Sequence, residues 1–155
     1  RTGETIPQPF MATDQDGVER DFPSLGGKRG LILLFTRSLD WCPYCKSQAV
    51  AWQAEIGKFT ELGYTLAMVR YDDAGVLARF ARSRKIGFTL LSDKDSTLIK
   101  AFDVLDNSAP EGRAWYGLAK PNIYVLDPKG VITHRFSGSN YTVRPEPDAV
   151  LNAIR

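Results

Sequence analysis

The chain has two cysteines, Cys42 and Cys45, three residues apart. Two thiols at this spacing are typical of a dithiol that forms and breaks a disulfide, or of half a metal site. A structural zinc site needs about four ligands, and the single histidine, His134, cannot complete such a set. Lys46 rather than histidine follows Cys45, which disfavours haem attachment. The pattern predicts redox chemistry with no metal and no other cofactor, and an inert buried pair is the remaining alternative.

The residues on either side of the pair predict how it is positioned. An apolar run over residues 31–35 is bounded by turn signals and is too short for a helix, so it predicts a strand buried on both faces. Pro43 stands where a helix would begin. The helix is predicted to continue to Gly63, with one face formed by Cys45, Ala49, Trp52, Ile56 and Phe59.

A helix N-terminus favours a thiolate because its unpaired N–H groups and its dipole carry partial positive charge. We therefore expect Cys42, at the start of the helix, to be the exposed nucleophile. Cys45, one turn into the helix, is expected to resolve the mixed disulfide.

Strands and helices alternate over the rest of the chain, which predicts an α/β domain with a mainly parallel sheet. Residues 10–13 and 18–22 predict an N-terminal β-hairpin, and residues 122–126 and 131–136 predict an antiparallel pair. A length of 155 residues indicates a single domain over residues 1–155.

Three side-chain patterns make more local predictions. Leu98, Ala101 and Phe102 are expected on the inner face of a short helix. His134 is expected on one strand face with Ile132 and Phe136, as a packed or rim histidine. Val150, Leu151 and Ile154 are expected on the inner face of a last helix.

Charge and hydropathy exclude two classes of partner. The 20 basic and 18 acidic residues are scattered in both signs, so no basic stripe predicts nucleic-acid binding. No apolar run has the roughly 18 to 20 residues of a membrane helix. The chain begins with Arg1 rather than Met, so we expect that a signal peptide, a lipid anchor or a stretch lost by cloning truncation once preceded it. The expected location is the bacterial periplasm or another extracytoplasmic space, with the cytoplasm as the alternative.

Three stretches resemble a known family. The segment Trp41-Cys42-Pro43-Tyr44-Cys45-Lys46 after an apolar strand resembles the thioredoxin superfamily, and residues 88–95 and 123–130 resemble its alkyl hydroperoxide reductase/thiol-specific antioxidant, or redoxin, branch. The resemblance runs from about Ile6 to the C-terminus. It implies a thioredoxin-like fold, a central mixed sheet flanked by helices with the hairpin as an N-terminal extension.

The resemblance also implies roles beside the cysteines. Pro121 occupies the position at which thioredoxins carry a cis-proline that offers backbone to a bound polypeptide, so a cis Lys120–Pro121 bond is predicted. Trp41, Pro43, Tyr44, Lys120 and Pro121 are the predicted substrate-binding residues.

The chain departs from its relatives in several ways. The peroxidase signature Pro-x-x-x-Thr-x-x-Cys fits neither cysteine, and Pro121 stands where peroxiredoxins carry an arginine. Thr36 and Gln48 stand where relatives keep acids. The proton acceptors that remain are water and the side chains of Asp40, Asp72 and Asp73.

The first functional hypothesis is a thiol–disulfide oxidoreductase that exchanges the Cys42/Cys45 couple with protein disulfides or thiols and is served by an upstream reductant. The alternatives are a peroxiredoxin-like peroxidase that reduces small hydroperoxides, and a non-catalytic redox-sensing module on the same fold.

Overall fold

A computed structural model describes most of the chain, and the seven described ranges are residues 3–6, 10–35, 43–70, 72–93, 97–102, 122–137 and 147–154. Within these ranges, seven strands form one mixed sheet in the order β2-β1-β5-β4-β3-β6-β7. The strands are β1 (Met11–Asp14), β2 (Glu19–Asp21), β3 (Gly30–Phe35), β4 (Tyr64–Arg70), β5 (Thr89–Ser92), β6 (Asn122–Leu126) and β7 (Ile132–Ser137).

Six helices accompany the sheet in the same ranges. They are α1 (Phe22–Leu25), α2 (Pro43–Ala54), α3 (Ile56–Glu61), α4 (Ala74–Arg84), α5 (Thr97–Ala101) and α6 (Pro147–Ile154). Strand β3 pairs in parallel with β4, and β4 with β5, so the predicted alternation of strands and helices is confirmed. The sheet is mixed, as the resemblance implies, and the prediction of a mainly parallel sheet is wrong, because β1 runs antiparallel to β5 and β6 to β3. The predicted pairing of β6 with β7 is also antiparallel.

The N-terminal extension is the predicted hairpin, with β1 and β2 antiparallel. Asp14 Oδ1 accepts hydrogen bonds from the N–H groups of Asp16 and Val18, and Gly17 has a φ of 80° that completes the turn. The prediction that Phe22 belongs to the second strand is wrong, because Phe22 is the first residue of α1. The reason is that Asp21 caps this helix by accepting from Ser24 N, with Pro23 in the first turn.

Apolar residues pack on both faces of the sheet. Ile32, Leu34 and Met68 pack on one face with Ala49 and Trp52 of α2, and we call this the α2 face. Leu31, Leu33 and Phe35 of β3 point to the opposite face, where they pack with the N-terminal segment, α1 and α5. Burial on both faces explains why β3 reads as a continuous apolar run instead of an alternating one.

The strands end at two edges that differ in composition. The carboxyl ends of the three parallel strands, at Phe35, Arg70 and Ser92, form what we call the carboxyl edge, which β6 joins because Asn122 pairs with Phe35. The opposite, amino edge contains Gly30, which pairs with Tyr64. The carboxyl edge is where a βαβ unit leads its chain from strand to helix.

Two helical predictions need correction. The helix predicted to run to Gly63 is interrupted at Glu55, which has φ −105° and ψ 6°, and α3 begins after it. Gly57 weakens the helix at this point, and the Glu55 N–H donates instead to Trp52 O over 3.1 Å in a tighter turn. In α5, Ala101 is exposed and the inner face contains Ile99 in its place.

The predicted strand face of His134 is half right. His134 stacks on Phe136 with ring centroids 6.5 Å apart, but Ile132 packs on the opposite side of the sheet. An irregularity in the β6–β7 register between Val125 and Leu126 separates them, because one inserted residue reverses which face the following side chains occupy.

Candidate active site

The cysteine pair stands between the end of β3 and the start of α2. Strand β3 ends at Phe35 and α2 begins at Pro43, which confirms the predicted first helical position. Cys45 is the third residue of α2, and its amide therefore belongs to the first turn, in which N–H groups have no partner inside the helix. Trp41 and Cys42 lie outside the described residues.

Little of the predicted substrate-binding set is described. Pro43 and Tyr44 belong to the first turn of α2, and Lys120 and Pro121 lie outside the described residues together with the predicted cis bond. Strand β6 begins directly after Pro121, and its first residue, Asn122, pairs with Phe35 at the end of β3. The segments that contain the cysteines and Pro121 thus join the sheet at the same edge.

The start of β6 is fixed by a side-chain contact. Asn122 is 4% exposed, and its Oδ1 accepts hydrogen bonds from Arg135 Nε over 3.2 Å and Arg135 Nη2 over 3.1 Å. The same guanidinium lies 5.4 Å from the centroid of the Tyr124 ring. This arrangement fixes the backbone that directly follows Pro121.

Arg70, the last residue of β4, is the functional candidate that the sequence reading did not assign. It is 0% exposed and belongs to the α2 face of the sheet, with Nη2 3.7 Å from Met68 Sδ. Its backbone pairs with Ser92, and its carbonyl accepts from Asp93 N–H over 2.7 Å. A fully buried arginine is rare unless its charge is paired. The sequence does contain a signal for this residue: a charged side chain directly follows the apolar residues of a buried strand, at the strand end that lies at the carboxyl edge.

Three more buried polar side chains lie at or near this edge. Asp93 accepts from Leu98 N over 3.0 Å and from Ile99 N over 2.7 Å, and it thereby caps α5. Asp72 is 8% exposed and its carbonyl accepts from Ser92 Oγ. Gln48, one turn after Cys45 in α2, is also 8% exposed.

The predicted proton acceptors fall into different environments. Asp72 is buried at the carboxyl edge, whereas Asp73 is exposed and caps α4 by accepting from Val76 N over 3.0 Å. Asp40 and Thr36 lie outside the described residues. Of the predicted carboxylates, Asp72 is therefore the one that the described structure places within the buried polar group at this edge.

The described residues contain neither a metal site nor a membrane-spanning helix. No three His, Cys, Asp or Glu side chains come together there as a metal site. No helix in the described part of the chain is long and apolar enough to cross a membrane.

The sheet order, the crossover helix and the antiparallel β6–β7 pair define an α/β protein of the thioredoxin-like fold. Residues 2–135 match the AhpC/TSA family model, and the chain belongs to that family. This confirms the resemblance read from the sequence.

Solved and curated relatives agree with the assignment. Peroxiredoxin Bcp of Escherichia coli (strain K12) is 26% identical over 155 residues, which cover 100% of this chain and 96% of the relative. The chloroplastic peroxiredoxin Q of Triticum aestivum is 29% identical over 133 residues, covering 86% of this chain and 58% of the relative. The crystal structure of peroxidoxin BcpB from Mycobacterium tuberculosis superposes with a TM-score of 0.85 at 23% identity, covering 100% of this chain and 96% of that one. The chain is an oxidoreductase of this family.

Proposed function

We propose that the protein is a thiol peroxidase in which Cys45 attacks a hydroperoxide, Cys42 resolves the product as a disulfide, and a thiol partner reduces that disulfide. Curated relatives that match the whole chain are named peroxiredoxins, which favours the peroxidase over a general disulfide reductase. The observation that carries the assignment to Cys45 is its place as the third residue of α2, above the edge where Arg70 is buried.

The environment of position 45 favours a thiolate for two reasons. The amides in the first turn of α2 have no intrahelical acceptor, and the helix dipole adds roughly half a positive charge there. Arg70 adds a full positive charge at the end of the neighbouring strand on the α2 face. A thiolate is the nucleophilic form, and nearby cations and helix N-termini both increase its population.

The chemistry then follows in two steps. The Cys45 thiolate attacks the terminal oxygen of the hydroperoxide, the O–O bond breaks, and the alkoxide leaves and takes a proton from solvent. Cys45 is now a sulfenic acid. The Cys42 thiolate attacks its sulfur, forms the disulfide and releases hydroxide, so the peroxide gains two electrons and the thiols lose two.

A thiol–disulfide oxidoreductase that acts on protein disulfides is the second candidate. It is favoured by Pro121, which directly precedes the strand paired with β3 and stands where the resemblance implies an arginine in peroxiredoxins. In that reaction Cys42 attacks the disulfide of the substrate and Cys45 resolves the mixed disulfide.

The test is a pair of assays on the purified protein, hydroperoxide consumption and insulin-disulfide reduction, both with dithiothreitol as reductant. We expect hydroperoxide turnover with dithiothreitol and its loss in Cys45→Ser. Once dithiothreitol has been removed, reduced Cys42→Ser should consume one equivalent of hydroperoxide and form a sulfenic acid that dimedone traps. Insulin reduction without hydroperoxide consumption would favour the second candidate. Full turnover by Cys45→Ser would contradict the assignment of the peroxide-attacking thiol.

A further inference from the structure

A groove lies between helices α2 and α4, on the side of α2 that does not face the sheet. Its volume is about 490 Å³, and it is lined by Lys46, Ser47, Val50, Ala51 and Arg84. Val50 is 42% exposed and supplies an apolar contact surface in the groove. We call this feature the Lys46–Arg84 groove.

A hydrogen bond joins α2 to the segment that directly follows α4, beside the groove. The Gly87 N–H, just beyond α4, donates to Gln53 Oε1 of α2 over 2.7 Å. Helix α4 ends at Lys85, which has a left-handed φ of 55° and whose N–H bonds to Ala81 O. The end of α4 that contributes Arg84 is therefore tied to α2 along the groove.

The positive charges in the groove are not compensated within the described structure. Neither Lys46 nor Arg84 forms an ion pair with a described residue, and neither α2 nor α4 contains an acidic side chain. Arg84 complements the negative end of the α4 dipole, but Lys46 lies near the positive end of α2, where a cation costs about 0.3–1 kcal/mol. The helix dipole therefore accounts for a cation at position 84, at the end of α4, but not for a cation at position 46, near the start of α2.

The groove begins next to the reactive pair. Lys46 directly follows Cys45, and Val50 lies five residues beyond Cys45, about 7.5 Å along the helix axis. A protein segment that exchanges with the cysteine pair would therefore reach the groove within a few residues of its own thiol.

We propose that the Lys46–Arg84 groove docks an acidic segment of the protein thiol that reduces the Cys42–Cys45 disulfide. Uncompensated cations beside an exposed apolar residue match a segment with carboxylates around a small apolar contact, and such complementarity raises association rates. The proposal rests on the proposed function, since it concerns the reductive half of that cycle.

The exchange balances in atoms and electrons. A partner thiolate bonds to the sulfur of Cys42, the Cys42–Cys45 bond breaks, and Cys45 leaves as a thiolate. A second partner thiolate attacks the mixed disulfide, forms the partner's own disulfide and releases Cys42. The partner loses two electrons and the protein disulfide gains them.

The experiment measures how fast two thiol peptides reduce the oxidised protein. Both are blocked pentapeptides with a central cysteine, flanked by four glutamates in one and by four lysines in the other. The disulfide is formed beforehand with diamide, so the measurement does not depend on peroxide reactivity. We expect the acidic-to-basic rate ratio at low ionic strength to fall about tenfold in Arg84→Glu, and the preference to fade in 0.5 M salt.

Arg82→Glu is the matched control, because it makes the same charge change on the same helix outside the groove. It should change the ratio by less than threefold. An equal ratio in the wild type and Arg84→Glu, or an equal fall in both variants, would overturn the proposal. Self-association that Arg84→Glu abolishes, with no preference between the peptides, would identify a second copy as the occupant and overturn it as well.

Discussion

The two edges of the central sheet are built in opposite ways. At the amino edge the backbone segments lie so close that a Cβ on Gly30 would lie 1.8 Å from Leu126 O, and one on Gly27 would lie 2.6 Å from Gly63 O. At the carboxyl edge the space between strands and helices contains buried polar side chains, namely Arg70, Asp72, Asp93 and Asn122. Of the other two buried polar side chains in the described residues, Gln48 belongs to α2 and Asp14 to the turn of the N-terminal hairpin.

The difference separates what stabilises the fold from what serves the chemistry. Close backbone packing contributes to stability and needs no charge. A buried charge is costly to desolvate and rarely improves stability over a well-packed apolar group. At the carboxyl edge, a charged side chain is nevertheless buried close to the sheet end from which the chain leads to α2. This is consistent with a site that stabilises an anion.

The largest effect is expected at the amino edge, from Gly30→Ala. Gly30 has a φ of +136°, and the added Cβ would clash with backbone that cannot move independently of the sheet. We expect the free energy of unfolding, measured in urea, to fall by about 4 kcal/mol, near the upper end for single substitutions. Gly26→Ala is the control, since its Cβ meets nothing within 4 Å, and it should change stability by less than about 0.5 kcal/mol. Similar values for the two variants would refute this account of the amino edge.

The next effect compares a buried and an exposed helix cap. Asp93→Ala removes a buried carboxylate that accepts from two amides of α5, and we expect a loss of about 2–3 kcal/mol. Asp73→Ala removes an exposed cap of α4 with one such bond and should cost about 1 kcal/mol. Urea unfolding of both variants checks the order. A larger loss in Asp73→Ala would show that burial does not set the strength of these caps.

The smallest effect concerns the charge of Arg70. Under the proposed function, the buried Arg70 cation stabilises the thiolate of Cys45 and its removal lowers the thiolate population at a given pH. Arg70→Met should therefore slow alkylation of the reduced protein by iodoacetamide at pH 6 about tenfold. Arg29→Met removes a charge at the amino edge, where the guanidinium lies 5.2 Å from the Tyr64 ring centroid, and it should leave the alkylation rate nearly unchanged. Circular dichroism verifies that both variants are folded. Equal alkylation rates in Arg70→Met and the wild type would show that the charge of Arg70 does not affect the thiolate population.

Much of the fold could be predicted from the sequence because the signals are local. The apolar run predicts β3, and Pro43 predicts the start of α2. Helical spacing predicts the buried positions Ala49, Trp52 and Phe59. The site residues remain predictions, since the side chains of Cys42 and Cys45 and the whole of Lys120 and Pro121 lie outside the described residues.

The predictions that failed have two kinds of cause. The start of α1 at Phe22 and the break at Glu55 come from a cap and a glycine that apolar periodicity does not detect, whereas the faces of Ile132 and His134 depend on strand pairing. Trp52 and Phe59 stack across the break at Glu55 with ring centroids 5.0 Å apart. Ile132 and His134 differ in face because of how β7 is registered against β6, which is a property of the pair of strands.

The sequence by itself determined the chemistry available to this protein. Two thiols at the start of a helix after a buried strand predict a redox couple, and that prediction needs only residue types and spacing. The tertiary structure alone decided what surrounds the couple. The sheet order puts β4 beside β3, so Arg70 is buried at the carboxyl edge. The packing of the helices places Arg84 and Lys46 in one groove. These residues are far apart in the chain, and their proximity depends on how strands pair and helices pack.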